Sequence, residues 1–296
     1  MRFVFYLAAT AGFCWGVKRA IQGAKGKERK VEESIYVLGD LVHNRDAVND
    51  LEQEDIHVVR SMEEARDKTL LITAHGRSPK EIGQAKRIAR DVLDMTCPIV
   101  QDLHRAALSL KQEGRKMVLI GMRSRPHPEI QGTVGVLDDA VHVVETFEDV
   151  ERLPFNPDDA IGVVAQTTFN ENRMHEIVKA IALRFKHTKF IPTICDDISE
   201  KQEELRRLSP HFDTVIVIGD KKSANATHLA EIAREELEKS TYFVLNETEL
   251  RENFIQGAER IFVIAGASTP PRSITGVVDS LCGWGGRQIF DLADII

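Results

Sequence analysis

Six short apolar, β-branched runs recur along the chain: SIYVL (34–38), TLLITA (69–74), KMVLIG (116–121), AIGVVAQ (160–166), DTVIVIG (213–219) and RIFVIAG (260–266). Each has the length of a single strand. Between them lie stretches such as QDLHRAALSLKQEG (101–114) and ATHLAEIAREELEK (226–239), whose apolar residues return every three or four positions, the period of an amphipathic helix. Alternation of this kind predicts βα units and a largely parallel α/β protein whose strands are buried on both faces. The segment LPFNPDD, Leu153 to Asp159, is expected to be a loop inside a unit rather than a boundary.

The same pattern gives three of the four cysteines a common setting. Cys14 follows FVFYLAATAGF and precedes WGVKRAI; Cys97 follows DVLDMT and precedes PIVQDLHRAALSL; Cys195 follows KFIPTI and precedes DDISEKQEELRRL. In each case an apolar run ends and a helical pattern begins. Cys282, within DSLCGWGG, instead closes a helical stretch. The three matched cysteines divide the chain into comparable segments, which predicts a trefoil of three similar αβ units with thiols converging at its centre. The expected division is 1–95 with 281–296, 96–193, and 194–280. At Cys97 the following proline suits the first helical position, where its missing N–H would have no partner, so the cysteine is expected at the cap, where the helix dipole favours a thiolate.

Bulk properties narrow the possibilities. A chain of 296 residues, 43% hydrophobic and 29% charged, can bury a sizeable core in two or three domains. Its formal net charge of -7 argues against a nucleic-acid-binding surface. Four widely spaced cysteines are too few for a disulfide framework and fit a reducing, cytoplasmic setting. The opening MRFVFYLAATAGF carries one basic residue and runs into a turn and helix, so it is expected to belong to a folded domain rather than a secretory signal. No apolar run reaches the ~18 residues a membrane helix requires.

Three thiols without a matched fourth suit an iron–sulfur cluster with one open iron, or a zinc site with an open position. Zinc is disfavoured by the lack of a C-x2-C pair, and ferredoxin-like electron transfer by the lack of short cysteine spacings. Polar residues follow the predicted strands, where α/β proteins place ligands: His43, His75, His127 with Glu129, Thr167, Ser223 with Asn225, and Ser268. Together with helix-start amides they predict a pocket for a phosphate-rich anion. His57, His142, His175, His187 and His211 lack that placement. Neither G-x-x-x-x-G-K-[ST] nor G-x-G-x-x-G occurs, so a nucleoside triphosphate or dinucleotide is not indicated. Glu129, beside the metal, is a candidate proton source.

Eight fragments in order, GFCWGVKRAI, LVHNRDAV, AHGRS, DMTCPIV, HPEIQGTVG, QTTFNEN, IGDKKSAN and AGASTP, make the chain resemble the 4-hydroxy-3-methylbut-2-enyl diphosphate reductase (IspH/LytB) family over nearly its whole length. The resemblance implies three αβ domains around a 4Fe-4S cluster held by Cys14, Cys97 and Cys195, with the fourth iron left for substrate. It implies that His43, His75, His127, Ser223, Asn225 and Ser268 hold the diphosphate, that Thr167 meets the substrate hydroxyl, and that Glu129 delivers protons. The implied reaction removes an allylic hydroxyl with two electrons and two protons, giving isopentenyl and dimethylallyl diphosphate, with a reduced ferredoxin or flavodoxin as donor. The chain departs from the family pattern at CDDISEKQEEL, which keeps only Gln202 of a Thr-Thr-x-Arg-Gln run and adds Asp196 and Asp197; at Ala224, usually serine; and at Pro126, usually glycine. A reductive dehydroxylase with another substrate and a non-catalytic iron–sulfur sensor stay open as alternatives.

Overall fold

The computed structural model describes residues 3–26, 34–123 and 127–291, so the departure at Pro126 lies outside them. In chain order the strands are β1 (Phe3–Leu7), β2 (Ile35–Leu38), β3 (Ile56–Val59), β4 (Thr69–Ile72), β5 (Asp91–Asp94), β6 (Lys116–Ile120), β7 (Val141–Val144), β8 (Ala160–Ala165), β9 (His187–Phe190), β10 (Thr214–Ile218), β11 (Ser240–Val244), β12 (Arg260–Ala265) and β13 (Gly286–Ile289). The α-helices are α1 (Trp15–Lys25), α2 (Arg45–Glu52), α3 (Pro79–Ile88), α4 (Pro98–Gln112), α5 (Pro128–Val136), α6 (Phe147–Glu151), α7 (Glu171–Arg184), α8 (Asp196–Leu208), α9 (Ala224–Glu231) and α10 (Pro271–Gly283).

The chain forms two compact units. One, built from Arg19–Leu41 and Leu51–Cys195, contains two four-stranded sheets with orders β3-β2-β4-β5 and β7-β6-β8-β9. The other, built from Met1–Lys18, Val42–Asp50 and Asp196–Ile296, contains one five-stranded sheet, β11-β10-β12-β1-β13. All pairings among the described residues are parallel, as the alternating pattern predicts. The three strand orders are one topology used three times, with β13 appended to the third.

This repeat corrects the expected grouping of the chain ends. β1 pairs with β12 through Val4↔Arg260 to Leu7↔Val263 and with β13 through Phe3↔Gly286 to Tyr6↔Ile289. The first and last strands therefore share a sheet with β10–β12 rather than with β2–β5. The physical reason is burial: Phe3 and Phe5 enter the apolar layer that contains Ile216, Ile218, Ile261 and Val263.

The six apolar runs of the sequence are the two inner strands of each repeat, β2 and β4, β6 and β8, β10 and β12. Side chains of β6 alternate between two layers. Val118 and Ile120 pack with Ile177 and Ile181 of α7, whereas Met117 and Leu119 pack with Leu103 and Leu110 of α4. Such two-sided burial removes the polar alternation of a solvent-facing strand. The helix expected over 226–239 changes form part-way: α9 passes into a π-helical turn, Ile232–Glu236, where Leu237 N–H donates to the Ile232 carbonyl at 3.0 Å. Ile232 and Ala233 stay in the core through this turn.

Candidate active site

The candidate residues lie on loops at the carboxyl ends of strands or, for Glu129 and Asn225, in the first turn of the helix that follows, and these segments repeat as the sheets do. Where β2, β6 and β10 end, Gly39, Gly121 and Gly219 donate their N–H groups to Val59, Val144 and Val244 at 2.9, 2.9 and 2.8 Å, closing each inner strand against its edge neighbour. A capped helix follows each time. Asn44 Oδ1 accepts from the amides of Asp46 and Ala47, His127 Nδ1 from that of Glu129, and Ser223 Oγ from that of Ala226. Where β4, β8 and β12 end, the chain turns with Gly76, Phe169 and Thr269 donating to Thr73, Gln166 and Gly266.

Each of these last turns holds one cysteine. The Cys97 N–H donates to the Ala74 carbonyl at 3.0 Å, that of Cys195 to Thr167 at 3.0 Å, and that of Cys14 to Ala267 at 3.1 Å. Ala74, Thr167 and Ala267 all stand two residues past the strand end, so three cysteines share one backbone address. Cys97 is the N-cap of α4 with Pro98 in the first turn, as its sequence setting predicts, and Cys14 and Cys195 directly precede α1 and α8. The Val17 N–H donates to Cys14 Sγ at 3.4 Å, so this sulfur serves as an acceptor at a helix N-terminus. Cys282, at the end of α10, is exposed and takes no part in this pattern.

In the unit that holds Cys97 and Cys195, contacts run between the two cysteines without a gap. Ala74, which anchors Cys97, precedes His75; the His75 ring meets that of His127 edge-on at 5.5 Å. His127 accepts from the Glu129 amide, and Glu129 in turn holds Thr167: its Oε1 accepts from the Thr167 N–H at 2.7 Å and its Oε2 from the Thr167 hydroxyl at 3.0 Å. Thr167 then anchors Cys195. The unit that holds Cys14 gathers the remaining candidates. Asn225 Oδ1 accepts from the Ala267 amide at 2.8 Å, the Ser268 hydroxyl donates to the His43 carbonyl at 3.2 Å, and Ser223 caps α9. Asn225 Nδ2 is buried without a partner among the described residues.

A family model described as LytB protein matches residues 5–282. The chain belongs to the LytB family. A relative from Aquifex aeolicus (strain VF5), a 4-hydroxy-3-methylbut-2-enyl diphosphate reductase, is 38% identical over 268 residues, covering 89% of this chain and 91% of its own. The structure of the E-1-hydroxy-2-methyl-but-2-enyl-4-diphosphate reductase from Plasmodium falciparum superimposes with a TM-score of 0.89 at 26% identity, over 98% of this chain and 92% of that one. A structure of (E)-4-hydroxy-3-methyl-but-2-enyl diphosphate reductase, the terminal enzyme of the non-mevalonate pathway, gives 0.67 at 36% identity, over 95% of this chain and 100% of that one.

In this LytB chain the electrostatics single out Glu129. It is 2% exposed, and burial raises its pKa from 4.5 to about 7 against the lowering effect of its two bonds from Thr167. A carboxyl tuned to neutrality can hold and release a proton at working pH. Of the two acids after Cys195, one has a partner in the β1–α1 segment. Asp197 Oδ2 accepts from the Trp15 N–H at 2.9 Å, at the first residue of α1, while Asp196 is exposed. Residues without a plain signal in the sequence also tie these loops together. Gln166 Oε1 accepts from the Met122 amide at 3.0 Å, tying the β8 turn to the β6 loop. Lys201 and Glu204 of α8 are 3% and 6% exposed and bind the loop before Cys14. Their signal was the spacing 197, 201, 204, one helical face, masked by the many charges of DDISEKQEEL.

Proposed function

We propose that this chain reduces 4-hydroxy-3-methylbut-2-enyl diphosphate to isopentenyl and dimethylallyl diphosphate, using a 4Fe-4S cluster held by Cys14, Cys97 and Cys195. The observation that carries the reading is the single backbone address shared by the three cysteines. Three thiols at helix starts, one already accepting an amide hydrogen bond, suit ligands that bind as thiolates. When bound, such a cluster with one iron free of protein supplies a Lewis acid for a substrate oxygen and a source of electrons.

The reaction breaks one allylic C–O bond, forms one C–H bond and releases water, consuming two electrons and two protons. The protein's share is to bind, orient and protonate. His43, His75, His127, Ser223, Asn225 and Ser268 take the diphosphate, and the buried Nδ2 donor of Asn225 suits an anionic acceptor. Holding the diphosphate converts remote binding free energy into orientation of the reacting carbon. Glu129 carries a proton at neutral pH and passes it through the Thr167 hydroxyl, which is within hydrogen-bond reach of Oε2, to the departing oxygen. A reduced ferredoxin or flavodoxin supplies the electrons. No helix among the described residues is long and apolar enough to cross a membrane, and a cytoplasmic location is part of the same proposal.

The test is anaerobic purification, iron and sulfide analysis, and turnover with the five-carbon hydroxy-diphosphate. Cluster content with formation of both five-carbon products supports the reading. A fully loaded chain that leaves this substrate untouched overturns the substrate, and a chain that takes up no iron overturns the whole of it.

A further inference from the structure

The helix that follows the third cysteine grips the loop that carries the first. Along one face of α8, at positions 197, 201 and 204, three charged side chains reach successive residues of the β1–α1 loop. Glu204 accepts from the Ala9 amide at 2.8 Å, and from the amide and hydroxyl of Thr10 at 2.9 and 2.6 Å. Lys201 Nζ donates to the carbonyls of Thr10 and Gly12. Asp197 takes the Trp15 amide, one residue past Cys14. Every residue from Ala9 to Trp15, Cys14 included, therefore lies on, or within one residue of, a contact with α8.

Lysine is almost never fully buried without partners. At Lys201, burial pulls the ammonium below its usual range, while Cys14, Asp197 and Glu204 act in the opposite direction, Cys14 most strongly of the three. A backbone loop needs only neutral donors and acceptors to be held, so a buried cation bonded to the Gly12 carbonyl, two residues before Cys14, has an electrostatic consequence as well as a mechanical one. Opposite charges are placed at 197 and 201, and the charge at 197 can be removed with its hydrogen bond kept, because asparagine retains an acceptor for the Trp15 amide.

We propose that Asp197, Lys201 and Glu204 are positioning residues that preform the Cys14 loop for the cluster, and that Lys201 and Asp197 set the cluster's reduction potential in opposite directions. This rests on the cluster reading above. Reduction adds negative charge, so a nearby cation favours the reduced state and a nearby anion opposes it. Lys201→Met is expected to lower the midpoint potential, with Lys201→Arg restoring it, and Asp197→Asn is expected to raise it.

The mechanical half is read in the metal-free chain. Amides bonded to a carboxylate lose a charge-assisted bond on its removal, so Glu204→Ala should make Ala9 and Thr10 exchange hydrogen about ten- to a hundredfold faster. Asp197→Ala should do the same at Trp15, with the strands of the other sheets unaffected. If Lys201→Met does not fold, Asp197→Asn and the exchange rates decide. Loaded Asp197→Asn and Lys201→Met proteins with the parent's potential would overturn the electrostatic claim, and unchanged exchange at residues 9, 10 and 15 the mechanical one. A parent chain that binds no iron removes the cluster reading and with it the electrostatic claim, while the exchange experiment still decides whether α8 holds the loop.

Discussion

At the residue scale, Glu129 ties chemistry to stability. Its carboxyl is protonated below about pH 7 in the folded chain but only below about 4.5 when exposed by unfolding. The folded pKa is the higher one, so its contribution is complete below 4.5 and is lost as pH rises through 7, a change of roughly 3 kcal/mol. Denaturant midpoints should therefore fall between pH 5 and 8 in the parent and change less in Glu129→Gln, a difference read directly by paired urea titrations. As a proton donor the same group should make turnover decline above about pH 7. Glu129→Gln should slow turnover by about 10²–10⁴-fold while leaving iron content unchanged. The candidate residues legible in the sequence are those that follow apolar runs, because strand ends announce where ligand loops begin. Lys201 and Glu204 were not legible, since a buried charge and a solvated one have the same letter until the loop they bind is in place.

At the element scale, legibility divided along the sheets. The inner strands, such as TVIVI of β10, are apolar throughout and stand out; the edge strands β5 (DVLD), β9 (HTKF) and β13 (GRQI) bury few side chains and read as polar linkers. Edge strands are recognised by what they pair with, which is a property of the sheet. Close packing at the inner strands also explains where glycine is required. A Cβ at Gly219 would lie 2.6 Å from Ala226 Cβ, and one at Gly266 2.7 Å from it, so α9 sits directly on the ends of β10 and β12. Gly219→Ala is expected to cost about 1–3 kcal/mol. Adding Ala226→Gly should recover most of that loss, a coupling measurable as a double-mutant cycle of thermal unfolding. Because Ser223 caps α9 and Asn225 lies in its first turn, both proposed above to hold the diphosphate, the single variant should also weaken substrate binding more than it slows the bound reaction.

At the scale of the whole molecule, the fold is a threefold use of one strand order, and the sequence disclosed that repetition through its cysteines before any strand was paired. What it did not disclose was the permutation: β1 completes the last repeat instead of opening the first, and the pairing of Val4 with Arg260 depends on no local signal. Contacts of such separation form late, because loop closure must precede them. Pulse-labelled hydrogen exchange during refolding should show the amides of β6 and β8 protected before those of β1. Simultaneous protection would argue for a single cooperative step. Cys14 inherits that delay, since its amide rests on Ala267. On a ribosome adding about 5–20 residues per second, the acceptor for Cys14 is made some tens of seconds after Cys14 itself. Metal delivered to a nascent chain would meet at most two thiols in finished surroundings, so the order of synthesis itself would defer assembly of the inorganic centre until nearly all the polypeptide exists.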